Sequence, residues 1–317
     1  MKILLAIDSS ADSEAVIREA ASRPWPPKTV FCVMTVVDMQ SLEETPVLID
    51  DAKHKAERLV MSAAETLMTC AAGTLRQSGH QVFSEIELGE PKTAIQGFAA
   101  KWQADLILIG ARGLNSLTRF LLGSVAQAVL RAAPCSVEVV RRPPHAAEHP
   151  RDGLRILLGT DGSEFSSKAA YSIANRPWPR GSLVKVISIQ ELLVPEAVAA
   201  ASLQYSVYSE RSMDEVSEIS RKRSEDAVAE ASAILKSSDL VIYDAPQPAR
   251  VGDPRTLLLD EAKSWEADLI VIGSHGKSGF DPMLLGSVSE SVAMHAGCSV
   301  EVIRGQAYEG RQEVHYP

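Results

Sequence analysis

The stretch WQADLILIGARGLNSLTRFLLGS, residues 102–124, reads as a strand running into a glycine loop and out into a helix. Leu106 to Ile109 is a short continuous apolar run, the pattern of a strand buried on both faces. Gly110, Gly113 and Gly123 follow with two and then nine residues between them, and Ser124 comes directly after the last. Residues 265–287, WEADLIVIGSHGKSGFDPMLLGS, repeat that frame at Gly273, Gly276, Gly286 and Ser287 with most of the loop letters changed. A frame that recurs without its lettering points to a backbone requirement, and its recurrence to one unit used twice.

Matches elsewhere extend the repeat over the chain. RPWP at 23–26 recurs at 176–179, and AIDSS at 6–10 matches GTDGS at 159–163, both with an offset of 153. GEPKT at 89–93 matches GDPRT at 252–256, and APCSVEVVR at 133–141 matches AGCSVEVIR at 296–304, both with an offset of 163. The second copy therefore has ten extra residues between its second strand and the GDP turn. Between the copies, RRPPHAAEHPRDG at 141–153 is rich in proline and charge and reads as an exposed connection. The expected domains are 1–142 and 154–305, with a linker at 143–153 and a tail at 306–317.

Within the first unit, residues 2–7, 29–37, 105–109 and 135–140 are apolar or β-branched runs, and 81–88 alternates more weakly. Val60, Ala63, Ala64, Leu67, Met68, Ala71, Ala72 and Leu75 recur at helical spacing within 50–78, and shorter helices fit 12–22, 91–102 and 123–132. The order β-α-β-α-β-α-β-α-β predicts a doubly wound parallel sheet, covered on both faces and joined by right-handed crossovers. Ligands of such sheets bind outside the carboxyl ends of the strands, where strand order reverses. If the first and fourth strands are neighbours there, Asp8 and the glycine loop face one crevice.

Composition narrows the function. The 317-residue chain is 45% hydrophobic and 23% charged, with a net charge of −9, the profile of a soluble globular protein with too little positive charge for a polyanion partner. Nucleic acid is not expected. The apolar run Ile3–Ile7 is too short for a signal core or a membrane span and reads as a strand. Four cysteines without metal-ligand or CxxC spacing suit a reducing cytoplasm.

The glycines have a chemical reading. Gly110 and Gly113 leave a strand end where a missing side chain admits a ligand to the backbone and permits positive φ. Gly123 and Ser124 open a helix whose N–H groups and dipole favour an anion, phosphate above all, with the Ser124 hydroxyl as a further donor. Arg119, on the excursion between, is placed to reach a phosphate, whereas the second copy has Asp281 on its excursion. The alternative is that the glycines serve only a tight strand exit and a close helix-to-sheet contact.

In these residues each half resembles a universal stress protein domain, and the Gly-x2-Gly-x9-Gly-Ser frame is similar to the signature of that family's ATP-binding branch. The resemblance implies two five-stranded domains of strand order 3-2-1-4-5, paired through their last strands within the chain, with a homodimer as a further option. It places adenine near Asp8 and Val36, ribose near Gly110 and Gly113, and phosphates at Gly123, Ser124 and Val125. The matching second-half positions are Asp161, Ile189, Gly273, Gly276, Gly286, Ser287 and Val288. The implied ligand is ATP, or ADP or AMP. Asp8 and Asp161 either hold a phosphate-bound magnesium or cap the following helix. Two departures stand out: Asp8-Ser9-Ser10 replaces the family's common Asp-Gly-Ser, and residues 191–210 form an insertion that reads as a lid or a surface helix.

His275 offers itself as a general base or as a loop histidine beside phosphate. Trp25 and Trp178 read as packing anchors. The chain lacks SGGxDS, HxGH and Walker lysine signatures, which favours a nucleotide-sensing regulator without strong catalytic activity over a slow ATPase or other adenine-nucleotide enzyme, and the presence of both glycine frames argues against an interaction module with empty pockets.

Overall fold

The structure is a computed structural model, and it describes residues 1–39, 50–113, 122–141, 153–190, 210–243, 250–276 and 285–305. The first half runs β1 (Lys2–Ala6), α1 (Ala11–Ser22), β2 (Val30–Val37), α2 (Asp50–Gln77), β3 (Gln81–Leu88), α3 (Pro91–Trp102), β4 (Leu106–Gly110), α4 (Ser124–Ala132) and β5 (Ser136–Val140). The second runs β6 (Arg155–Gly159), α5 (Glu164–Ala174), β7 (Leu183–Ile187), β8 (Ile189–Gln190), α6 (Glu210–Leu235), β9 (Val241–Ile242), β10 (Arg250–Val251), α7 (Pro254–Ser264), β11 (Leu269–Gly273), α8 (Ser287–His295) and β12 (Ser299–Ile303).

Ten strands form one sheet in the order β3-β2-β1-β4-β5-β12-β11-β6-β7-β9. Each half thus has the order 3-2-1-4-5, parallel throughout, and β5 meets β12 antiparallel with Glu138 opposite Glu301. β4 and β11 are buried at every residue, which explains their unbroken apolar lettering. On one face, α3, α4, α7 and α8 share a single apolar cluster running through both halves. On the other, α1 and α2 cover one cluster and α5 and α6 another. Val137, Val139, Val300 and Val302 sit at the junction with no exposed surface, and burying each contributes on the order of 1.5 kcal/mol.

The ten extra residues are divided in two. Leu183 pairs with Val241 as Val30 pairs with Gln81, an offset of 160 on the third strand, whereas Ile189 pairs with Arg250 as Val36 pairs with Glu87, an offset of 163. Seven extra residues therefore precede the third strand and three interrupt it. That interruption detaches β8 and β10 as a two-stranded sheet. The insertion at 191–210 lies, but for its last residue, outside the described residues.

Cys32, Cys135 and Cys298 are buried thiols pushed up to about 12 by burial, while Cys70 is exposed on α2. A small alkylating reagent is expected to label one thiol per folded chain rapidly and all four after denaturation, because the thiolate is the nucleophile. Mass spectrometry reads the count, and two or more fast native thiols would contradict this burial.

Candidate functional site

The crevice is built by chain reversals at the carboxyl ends of β1 and β4. These strands are neighbours, with Ala6 opposite Ile109, so Asp8, two residues past β1, faces the loop leaving β4. Asp8 accepts at Oδ1 from the Ser10 N–H at 3.0 Å and from the Ser13 hydroxyl at 2.7 Å. Ser13 Oγ in turn accepts from the Asp8 N–H at 2.8 Å. The helix cap is Ser10, whose Oγ accepts from the Ser13 N–H, so the capping role considered for Asp8 falls to the residue two along. Ser163 caps α5 in the same way, and Asp161 Oδ1 accepts from the Ser163 N–H at 3.0 Å. The turns differ as their sequences do: Gly162 takes a left-handed φ of 71°, whereas Ser9 is not among the positive-φ residues.

The three glycines of each frame have three different reasons. A Cβ on Gly110 would lie 2.9 Å from Asp12 Cβ, and one on Gly273 would lie 2.6 Å from the carbonyl carbon of Phe165, so the first glycine lets α1 or α5 approach the strand. A Cβ on Gly113 would lie 2.8 Å from Asp8 Oδ2, and one on Gly276 would lie 2.7 Å from Asp161 Oδ2, so the second glycine keeps space around the aspartate. Gly123 donates its N–H to Ala111 O at 2.8 Å, and Gly286 donates to Ser274 O at 2.8 Å, which returns the chain to the strand end after the excursion. None of the six adopts positive φ, contrary to the expectation from glycine's freedom; close approach accounts for Gly110, Gly113, Gly273, Gly276 and Gly286, whereas a Cβ on Gly123 would meet nothing nearer than 3.4 Å.

Gly123 and Gly286 are N-caps without a side chain to satisfy the first turn, and Ser124 and Ser287 are exposed there. The first intrahelical bonds run from Gln127 N–H to Gly123 O and from Glu290 N–H to Gly286 O, leaving the earlier N–H groups directed outward as an anion site requires. Val36, Val125, Ile189 and Val288 are half-buried against the shared apolar cluster. Asp8, Gly113 and Gly123 are thus drawn together in one half, and Asp161, Gly276 and Gly286 in the other. Arg119 and Asp281 lie outside the described residues.

Two substitutions between the halves escaped sequence reasoning. Arg112, between the first two glycines, grips Asp12 with Nε–Oδ2 and Nη2–Oδ1 both at 3.0 Å. The equivalent pair in the second half is His275 and Phe165, whose rings lie 5.1 Å apart. His275 is buried there with Nδ1 3.1 Å from Ser274 Oγ, so it packs under α5 and is not the exposed loop histidine that its position suggests. Comparing the repeats residue by residue at offsets 153 and 163 is the signal that would have found this exchange of an ion pair for an aromatic pair.

The family model for universal stress proteins matches residues 1–141 and 154–304. The chain belongs to the universal stress protein family. A universal stress protein of Mycolicibacterium smegmatis is 29% identical over 307 residues, covering 95% of this chain and 96% of that protein. One of Mycobacterium tuberculosis is 28% identical over 309 residues, with the same two coverages. Among solved structures, a universal stress protein from Archaeoglobus fulgidus covers 97% of both chains with a TM-score of 0.60 at 20% identity, a likeness of fold. Relatives of matched length make this a tandem universal stress protein, with both family units on one chain. No described helix of this universal stress protein is long and apolar enough to cross a membrane.

Proposed function

We propose that the chain binds an adenine nucleotide, ATP or its ADP and AMP forms, in each half, and acts as a nucleotide-sensing regulator without strong catalytic activity. The observation carrying this reading is that one crevice is built twice from differently lettered loops: an anchored aspartate, a glycine that keeps space beside it, and a helix start without a side-chain cap. Adenine belongs beside Asp8 and Val36, or Asp161 and Ile189. Ribose belongs at Gly113, or Gly276, beside the Gly110 and Gly273 strand ends. Phosphates belong on Gly123, Ser124 and Val125, or Gly286, Ser287 and Val288, with Arg119 serving the first set. Among the described residues no three histidine, cysteine, aspartate or glutamate side chains group as metal ligands, so magnesium would be held chiefly through phosphate oxygens, with Asp8 or Asp161 as its one carboxylate. The pairing of β5 with β12 supports reading 1–142 and 154–305 as two domains paired within one chain, and three buried thiols suit a reducing cytoplasm.

Gly113→Val is expected to weaken ATP binding in the first half by about a hundredfold or more, equivalent to about 2.8 kcal/mol, by pushing a branched side chain onto the Asp8 carboxylate. Gly276→Val acts likewise in the second half. Calorimetric titration should show two sites in the parent chain, one in each single variant and none in the double. A folded double variant that binds ATP with unchanged stoichiometry would return these glycines to a purely structural role. Phosphate release measured on the parent chain tests the regulator reading, with turnover expected to be slow because His275 is packed against Phe165.

A further inference from the structure

The repeated heptapeptides CSVEVVR and CSVEVIR carry more than a strand edge. Arg141, directly after β5, donates from Nη2 to the carbonyl oxygens of Ala293 at 2.6 Å and Met294 at 3.5 Å, in the last turn of α8 in the other half. Arg304, directly after β12, donates from Nη2 to Leu130 O at 3.0 Å and Arg131 O at 2.7 Å, and from Nη1 to Ala133 O at 3.3 Å, closing the last turn of α4. The serines that open the strands hold both arginines in place. Ser299 Oγ accepts from the Arg141 N–H at 3.0 Å and Ser136 Oγ accepts from the Arg304 N–H at 3.1 Å. α4 and α8 also meet directly, Arg131 Nε lying 2.6 Å from Glu290 Oε1 and Gln127 Nε2 lying 3.6 Å from Met294 Sδ.

We propose that Arg141 and Arg304 are positioning residues, each holding from its own half the helix on which the other half binds phosphate, so that the two sites are thermodynamically linked. This rests on the nucleotide reading of the crevices. The physical route is short. α4 and α8 are nine residues each, with the anion site at one end and the borrowed arginine at the other. A guanidinium on the last carbonyls satisfies orphan acceptors and complements the helix dipole, fixing the helix whose N–H groups meet the ligand. Burial holds both guanidiniums below the usual arginine range, Arg141 at about 10. Linkage of this kind is reciprocal: filling one crevice alters affinity at the other by the same factor in both directions.

The test uses the full chain and ATP as the probe, in Gly113→Val and Gly276→Val backgrounds that leave one site each. Arg304→Met is expected to weaken ATP three- to tenfold at the first site and to leave the second within twofold, and Arg141→Met to do the reverse. Arg304→Lys should restore most of the loss, since an ammonium can still donate to the carbonyls. Hydrogen exchange without ligand gives an independent readout. Arg304→Met should speed exchange in α4, residues 124–132, and Arg141→Met in α8, residues 287–295. Loss at the arginine's own half, equal loss at both, or unchanged exchange in the opposite helix would overturn the proposal. A parent chain that takes up no ATP while the exchange pattern stays crossed would sink the nucleotide reading and leave the borrowed caps standing.

Discussion

Arg23→Ala is expected to destabilise the chain by about 3–5 kcal/mol, read as a shift of the urea unfolding midpoint, because it leaves a buried charge without its partner. Arg23 Nη1 lies 2.9 Å from Glu138 Oε2 and Nη2 lies 3.8 Å from Glu301 Oε2, while Arg176 Nη2 lies 2.7 Å from Glu301 Oε2. All four side chains are at most 3% exposed. The Arg23 guanidinium is sandwiched between Trp25 and Trp178, with Cζ 4.5 and 4.6 Å from the two ring centroids. Two glutamates thus face each other across the β5–β12 seam, held there by two arginines. Arg23→Met with Glu138→Gln should recover much of the loss, since it removes both charges together, and a single-variant cost below about 1 kcal/mol would disprove the network's importance. The seam also titrates. Burial first, with Glu301 adding repulsion and Arg23 opposing both, raises the Glu138 carboxyl to about 7. The folded state therefore favours the neutral acid; the stability from Glu138 is full below its ordinary value of 4.5 and is lost as pH rises through about 7. The difference in stability between the parent and Glu138→Gln should move in the parent's favour from about pH 8 to about pH 5.

Gly273→Val is expected to cost about 3 kcal/mol or more, the upper range for overpacking, and to lower the melting temperature already in the absence of nucleotide. A Cβ there would stand 2.6 Å from the Phe165 carbonyl carbon and 2.8 Å from its oxygen and Cβ, and backbone of that kind cannot swing aside as a side-chain tip does. α5 would have to move off β11, and with it the contacts of Ala169, Ala170 and Ile173 against the sheet. Gly276→Val offers the contrast: its obstacle is a carboxylate, so it should cost little stability and much affinity. If Gly273→Val melted within about 1 °C of the parent, the close approach of α5 to β11 would be wrong.

Much of the fold was open to reading because strands buried on both faces leave unbroken apolar runs, and because glycine frames mark where they end. β1, β4, β11 and the repeat itself were visible for that reason. Conformational reasoning about the glycines went astray, since the same residue type serves positive φ and close approach, and letters do not separate the two. Capping stood beside magnesium binding as a reading of Asp8 because capping aspartates are common; Ser10, at the position that caps, was passed over. Arg23, Glu138, Arg141 and Arg304 are distant in sequence from what they touch, so no spacing announces them. Their presence in both copies of RPWP and of CSVEVVR or CSVEVIR was the available clue, read as packing anchors and apolar strands. The split insertion was hidden for a different reason: three residues inserted within a weak strand change no periodicity that a window detects.

In an isologous dimer joined through antiparallel strands the same patch serves both subunits, so one substitution alters both protomers at once. β5 and β12 keep that antiparallel geometry on a single polypeptide, where their two sides are separate codons. Arg23 already departs from two-fold symmetry, stacking on both tryptophans where Arg176 stacks on Trp178 alone. The covalent connection therefore frees each half to differ while the seam stays matched: Phe165 and His275 stand in one half where Asp12 and Arg112 form an ion pair in the other. With both sides of the seam on one polypeptide, a single self-matched surface becomes two surfaces that substitution can adjust one at a time.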